Sequence, residues 1–232
     1  MWYVLIFVRL MERIENTDFF TSGAVLMADA SGARISVLAA GAGEACGMCA
    51  EGGALENMFA LISKAADAAG FSARSARAFG FCSGPGSILG IRASAAAMAT
   101  FREAAPGSAL FSWGLFDAYS ELLLRSGESG FSLVCPSRRG YANVLEWGGG
   151  PAREIPSSGV ASLCGRPLLI RQRSVADPAF AGLEEVFFGC GEVFELLKSR
   201  PGLARVCGVS EIPDASVLAK REYVKWNSQP RP

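Results

Sequence analysis

Histidine is absent from all 232 residues of this chain. That absence removes the commonest general base and the commonest ligand of nitrogen- and oxygen-rich metal sites. It makes a Ser-His-Asp triad impossible. Catalysis as a class stays open, because enzymes can work without histidine. An excess of charge is also missing. Lys plus Arg and Asp plus Glu both number 22, so the formal net charge is zero. This disfavours a strongly basic nucleic-acid-binding protein but leaves room for a local basic patch. The apolar stretch Met1–Leu10 is shorter than the roughly 20 residues that cross a bilayer. It has neither a basic leading region nor a small-residue cleavage site, which argues against a signal peptide.

Two nucleotide and hydrolase signatures are missing as well. No Gly-x-x-x-x-Gly-Lys-Ser/Thr occurs, so a P-loop is unsupported. Gly-x-Ser-x-Gly does not fit either, because Ser87 is followed by Ile88 and Leu89. The seven cysteines are odd in number and scattered without a disulfide-framework spacing. A reducing, cytoplasmic setting is the expectation. Cys46-Gly47-Met48-Cys49 is a Cys-x-x-Cys. Zinc would need about four ligands, and no second close pair supplies them. Its Gly/Ala-rich neighbourhood lacks thioredoxin-like context, and cysteine serves readily as a small buried hydrophobe.

Half of the residues are hydrophobic, enough for one large domain or two small lobes. Near-zero charge with this much apolar content also suggests apolar surface that meets a partner.

The chain is organised around Ala78–Ala105. The short apolar run Ala78–Cys82 leads through Ser83 to Gly84-Pro85-Gly86-Ser87, then to a stretch rich in alanine. This predicts a strand, a sharp turn and a helix. Pro85 fixes φ, the flanking glycines reach conformations closed to other residues, and Ser87 is a good N-cap. Such an elbow can cradle an anion on free backbone N–H groups, present Ser87, or simply pack a helix on a sheet.

Before the elbow, Gly23–Ser31 and Ile35–Ala39 predict a hairpin with Asp29 at its turn. Asp29 either organises a metal and phosphate or completes the turn with its own side chain, the commoner use of Asp in turns. Leu55, Met58, Phe59 and Ile62, continued by Ala65, Ala66 and Ala69, have helical spacing closed by Gly70. On the helix after the elbow, Ile91, Ala95 and Met98 form one stripe, with Gly90, Ser94 and Ala97 beside it. Small residues permit close helix packing, against either the chain's own sheet or another protein.

Pro106-Gly107 ends that helix. Ala109–Trp113 then predicts a strand, Phe116–Arg125 a helix closed by Gly127, Phe131–Cys135 a strand, and Ala142–Trp147 another. Between the last two lie Arg138 and Arg139, fit either to bind phosphate or to decorate a solvated tip with salt bridges. Residues 152–180 are irregular. Leu183–Leu197 predicts a helix interrupted near Gly189-Cys190-Gly191, with Glu184, Glu185, Glu192 and Glu195 as a solvated acidic face rather than a glycosidase pair. The most basic segment is the tail, where Lys220, Arg221 and Lys225 interleave with Tyr223 and Trp226. It suits a phosphate or RNA contact, or docking onto the body.

Gly84-Pro85-Gly86-Ser87 followed by Gly90-Ile91-Arg92 resembles the Gly-Pro-Gly-Ser-Phe-Thr-Gly-Leu-Arg signature of the TsaB (YeaZ) family, with Ile88 and Leu89 in place of Phe and Thr. Arg138, Arg139 and Tyr141 match the family's Asp-Ala-Arg-Arg stretch, its Asp falling at Pro136, and Ile212–Trp226 approximates the family ending. The resemblance runs from about residue 22 to 226. It implies an α/β fold of the actin-like ATPase (ASKHA, ribonuclease H-like) type with two lobes, residues 21–107 and 108–232, after an extension over 1–20.

It further implies a non-catalytic subunit of the bacterial complex that installs threonylcarbamoyladenosine in tRNA, binding and activating the catalytic subunit TsaD and, through the complex, TsaE. No cofactor is implied. The implied partner-binding residues are Leu55, Met58, Phe59 and Ile62 on one helix and Ile91, Ser94, Ala95 and Met98 on the next. The motif residues are Gly84, Pro85, Gly86, Ser87, Gly90, Arg92, Arg138 and Arg139. Contact with tRNA would be indirect or through the tail, and the chain alone could pair with itself. The competing reading is a diverged kinase or ATPase of the same superfamily using Asp29 and the elbow. A glycoprotease-like peptidase is a third, weakened by the missing metal ligands.

Overall fold

Every residue of the strand β1, Val25–Asp29, is buried, because both of its faces are covered. A computed structural model of the chain describes residues 20, 23–41, 44–173 and 177–208. In it, β1 pairs antiparallel with β2 (Arg34–Ala40), which pairs antiparallel with β3 (Ala45–Glu51). The helix α1 (Ala54–Ala68) follows, then β4 (Ala78–Cys82), the elbow, and α2 (Ile88–Glu103). β4 lies parallel to β1, and β5 (Ala109–Trp113) lies parallel to β4. After α3 (Leu115–Arg125) the chain enters a second sheet. It contains β6 (Phe131–Pro136), β7 (Tyr141–Leu145), β8 (Arg153–Pro156), β9 (Arg166–Leu169) and β10 (Glu184–Glu185). The helix α4 (Cys190–Ser199) and β11 (Ala204–Val206) then return to the first sheet, where β11 pairs with β5. The strand orders are β11-β5-β4-β1-β2-β3 and β10-β9-β6-β7-β8.

The two faces of the first sheet build different cores. Leu26, Ala28, Val37 and Phe79 face α1 and α2, where Met58, Ile62, Ala95 and Met98 meet them. Val25, Met27, Leu38 and Phe111 face α3, α4 and the inner face of the second sheet, which contributes Leu133, Cys135 and Leu168. Phe20 belongs to this shared core, its ring edge-on to Phe111 with centroids 5.2 Å apart. A third cluster covers the outer face of the second sheet, with Val134 and Val144 packed by Val160 and Phe180.

The helix ends follow local chemistry. Gly70 has φ +76°, and the N–H groups of Gly70 and Phe71 donate to Asp67 and Ala66, closing α1 with a Schellman motif. Gly127, with φ +86°, closes α3 in the same way onto Leu124 and Leu123.

Two expectations are corrected, and one strand appears for which there was no expectation. β3 was unmarked in the sequence, since Ala-Cys-Gly-Met-Cys-Ala-Glu has poor strand propensity. It exists because β2 offers a free edge. Residues 152–180 contain β8 and β9. The helix expected over Leu183–Leu197 begins only at Cys190: Gly189 is its extended N-cap, and Glu184–Glu185 instead extends the second sheet beside Leu168–Leu169. The expected extension over 1–20, except Phe20, and the Ile212–Trp226 motif lie outside the described residues. Among the described residues no helix is long and apolar enough to cross a membrane.

Candidate functional site

The elbow forms as its residues predict. Ser87 caps α2, its Oγ accepting the Gly90 N–H at 3.2 Å. Gly84 has φ +99°, and a Cβ there would come within 2.9 Å of Ile91. Gly86 and Gly90 serve another purpose. A Cβ on Gly86 would overlap the Ser31 carbonyl, and one on Gly90 would overlap the Ala30 carbonyl. The β1–β2 turn is thus seated directly on the elbow, backbone to backbone. The Ser87 N–H donates to the Ser31 carbonyl at 2.7 Å and locks the contact.

Other elements converge on the same point. The Leu115 N–H, at the start of α3, donates to the Gly84 carbonyl at 2.7 Å. Ser83 donates both its N–H and its Oγ–H to the Trp113 carbonyl. From the second sheet, the Cys135 Sγ–H donates to the Pro85 carbonyl at 3.6 Å, and Gln172 Nε2–H donates to Cys135 Sγ at 3.2 Å. The Ala33 N–H donates to the Arg171 carbonyl at 2.9 Å. The elbow therefore joins the C-terminal ends of β1, β4 and β6.

Asp29 ends β1 beside this junction and is buried. Its Oδ1 accepts the Ser31 N–H at 2.7 Å, the turn-completing use of an aspartate. Burial pushes its carboxyl above the usual range, partly opposed by Ser31 and the Cys82 thiol. Burial likewise raises the Cys82 and Cys190 thiols and takes Cys135 up to about 12, and the Asp29 charge adds to each. Burial here disfavours the charged form of each of these groups. Among the described residues no group of three or more His, Cys, Asp or Glu could hold a metal ion.

The implied partner-binding stripe is corrected. Met58, Ile62, Ile91, Ser94, Ala95 and Met98 are all buried in the chain's own body, and the Ser94 hydroxyl donates back to Gly90. Of the eight, Phe59 is the one the structure places at the surface, 49% exposed, while the side chain of Leu55 lies outside the described residues. The exposed positions of the two helices keep Phe59 and otherwise include residues outside that stripe: Ala60 and Ser63 on α1, and Leu89, Arg92 and Ala96 on α2. Leu89 is 62% exposed. Sequence reasoning passed over it because it stood where the motif departed from pattern.

Arg138 and Arg139 part ways. Arg138 pairs with Glu154 at 3.0 Å and lies over the Tyr141 ring, 3.8 Å from its centroid, which is a hairpin-tip role. Arg139 is exposed, as is Arg92. The four acids are all engaged: Glu184 with Arg166, Glu185 with Arg171, Glu192 on the Gly189 N–H, and Glu195 with Lys198. The Cys-x-x-Cys is not a pair. Cys46 faces Ala39 and Cys49 faces Ser36 across the ladder, and residues three apart on a strand point to opposite faces.

No protein-family model matches the sequence, and no curated protein matches it. Solved structures do match in three dimensions. One is an uncharacterized protein with similarity to peptidase YEAZ from Pseudomonas aeruginosa, 16% identical, covering 76% of this chain and 92% of that one with a TM-score of 0.56. Another is YeaZ from Pseudomonas aeruginosa, 14% identical, covering 77% and 93% with a TM-score of 0.55. The chain thus has the α/β fold of the YeaZ structures, two mixed sheets with helices packed on them, as the elbow motif led one to expect.

Proposed function

We propose that this chain is a non-catalytic subunit of a tRNA threonylcarbamoyladenosine complex and that the outward face of α1 and α2 binds a TsaD-type catalytic subunit. The observation that carries the reading is that each of the two helices exposes a large apolar side chain, Phe59 on α1 and Leu89 on α2. Small residues are exposed beside them on the same helices, Ala60 and Ser63 on α1 and Ala96 on α2. Exposed small residues with apolar anchors suit contact with a second helix pair. The YeaZ-like fold and the elbow motif support the same assignment. Binding only the competent form of the partner raises that form's population, which is activation without chemistry.

The competing reading, a nucleotide-dependent enzyme, draws on Asp29 beside the elbow. Two features weigh against it. The Ser87 amide already serves Ser31, and the Asp29 carboxyl is held above its usual range by burial. Peptidase chemistry of the Ser-His kind is unavailable to a chain without histidine.

Co-expression with TsaD from the same organism, followed by size-exclusion chromatography, tests the proposal. The wild-type chain should co-elute with TsaD, and Leu89→Glu or Ala96→Arg should elute apart while melting normally. Unchanged co-elution of both variants overturns the assignment of this face. Turnover of a nucleotide by the purified chain, lost in Asp29→Asn, overturns the non-catalytic role.

A further inference from the structure

Cys49 is exposed on β3, and its Sγ lies 3.6 Å from the Oγ of Ser36, the residue directly across the ladder. The same serine holds a second cysteine. The Cys190 N–H donates to Ser36 Oγ at 2.8 Å, and the Cys190 Sγ–H donates to the Ser36 carbonyl at 3.3 Å. Two thiols far apart in sequence therefore gather on one residue of β2. Gly189 puts no side chain of its own between them, and the Glu192 carboxylate, which accepts the Gly189 N–H, borders the space. Gly189 precedes Cys190, and a Cβ at that position would stand 3.0 Å from Ser36 Oγ and 3.8 Å from Cys49 Sγ. The sulfur of Cys49 thus lies against the turn that enters α4. Cys46, on the other face of β3, has no access to this site.

We infer that Cys49 and Cys190 form a peroxide-responsive dithiol whose disulfide pins the start of α4 to the edge strand β3. In the first step the Cys49 sulfur attacks one oxygen of hydrogen peroxide. The O–O bond breaks, the thiol proton leaves with the departing oxygen as water, and Cys49 becomes a sulfenic acid. In the second step the Cys190 sulfur attacks the Cys49 sulfur. The S–O bond breaks, and the hydroxyl leaves with the Cys190 proton as a second water. Two thiols lose two electrons in total and one peroxide gains them.

Exposure sets the order. Cys49 meets the oxidant, while Cys190 is enclosed, its thiol held up by burial, and acts as the slower resolving partner. Bond formation needs the Cys49 side chain to give up its weak contact with Ser36 Oγ and turn toward Gly189, on a strand at the sheet edge. In a reducing compartment such a disulfide is transient and signals oxidation.

The test uses the full chain, reduced, freed of reductant, treated with hydrogen peroxide, quenched with N-ethylmaleimide and digested without reductant. Mass spectrometry should find the Cys49 and Cys190 peptides joined, two hydrogens lighter than their sum, and dithiothreitol should separate them. In Cys190→Ser, Cys49 should stall as a sulfenic acid trapped by dimedone. The wild-type peptide map decides the matter even if that buried substitution disturbs folding. Oxidation of Cys49 to sulfinic acid without the link overturns the proposal. So does a link from Cys49 to Cys46 or to a second copy of the chain.

Discussion

Gly90, in the first turn of α2, stands against the carbonyl oxygen of Ala30 with no room for a side chain between them. The contact makes the strand-to-helix elbow and the β1–β2 turn one unit. It gives a glycine inside a helix a packing reason that offsets its roughly 1 kcal/mol propensity cost.

Gly90→Ala should therefore destabilise the chain by about 3 kcal/mol, at the upper end of overpacking costs, because backbone cannot step aside as a side chain can. Gly47→Ala is the control. Nothing lies within 4 Å of a Cβ at that strand position. It should be neutral, or stabilising by about 0.5 kcal/mol through lost unfolded-state entropy. Urea unfolding of both variants measures the contrast.

The two sides of α2 should respond oppositely to charge. Met98 is fully enclosed. Met98→Glu buries an unpaired carboxylate and should cost several kcal/mol, on the order of 3–5, enough to leave little folded protein. Leu89→Glu, on the outward side, should stay within about 0.5 kcal/mol of the parent. Circular dichroism melts separate the two before any binding is measured.

Asp29 makes a prediction about pH. Its carboxyl is raised in the folded chain, chiefly by burial. Between the unfolded and folded pKa values the folded form holds a proton that the unfolded form has lost. Stability on this account is greatest below the unfolded value and falls as pH rises through the folded one. Asp29→Asn should keep the bond from the Ser31 N–H, raise the melting temperature at neutral pH and flatten that fall. A more stable parent at neutral pH would show that the ionised carboxylate has a favourable role.

Tyr119 on α3 bridges the segment that leads into α4. Its hydroxyl donates to the Phe188 carbonyl at 3.0 Å and accepts the Phe188 N–H at 3.2 Å. Tyr119→Phe strands both groups and should cost about 1–3 kcal/mol. Faster hydrogen exchange at Phe188 would place the loss there.

The elbow was legible from a few adjacent residues. Pro85, its glycines and Ser87 act through backbone conformation and a cap reaching three residues along, so near neighbours contain all the information. The same holds for Gly70 and Gly127 at the ends of α1 and α3. The outward face of α2 was not legible. α2 carries small residues on every side, so its pattern names no surface, and the stripe chosen from it turned out to be the buried one. The acids of 183–197 misled in the same way. Their spacing tolerated a helix, but the open edge of β9 drew Glu184–Glu185 into a sheet instead.

By itself the amino-acid order determined the turn chemistry, the helix ends and the exclusion of every mechanism that needs an imidazole. Which side of a helix is covered, that Cys49 answers to Cys190 rather than to Cys46, and that Asp29 ends in an apolar interior were decided only by the tertiary fold. The reason is range. Dihedral preferences and caps act within a few residues, whereas burial depends on which distant strands and helices close over a side chain.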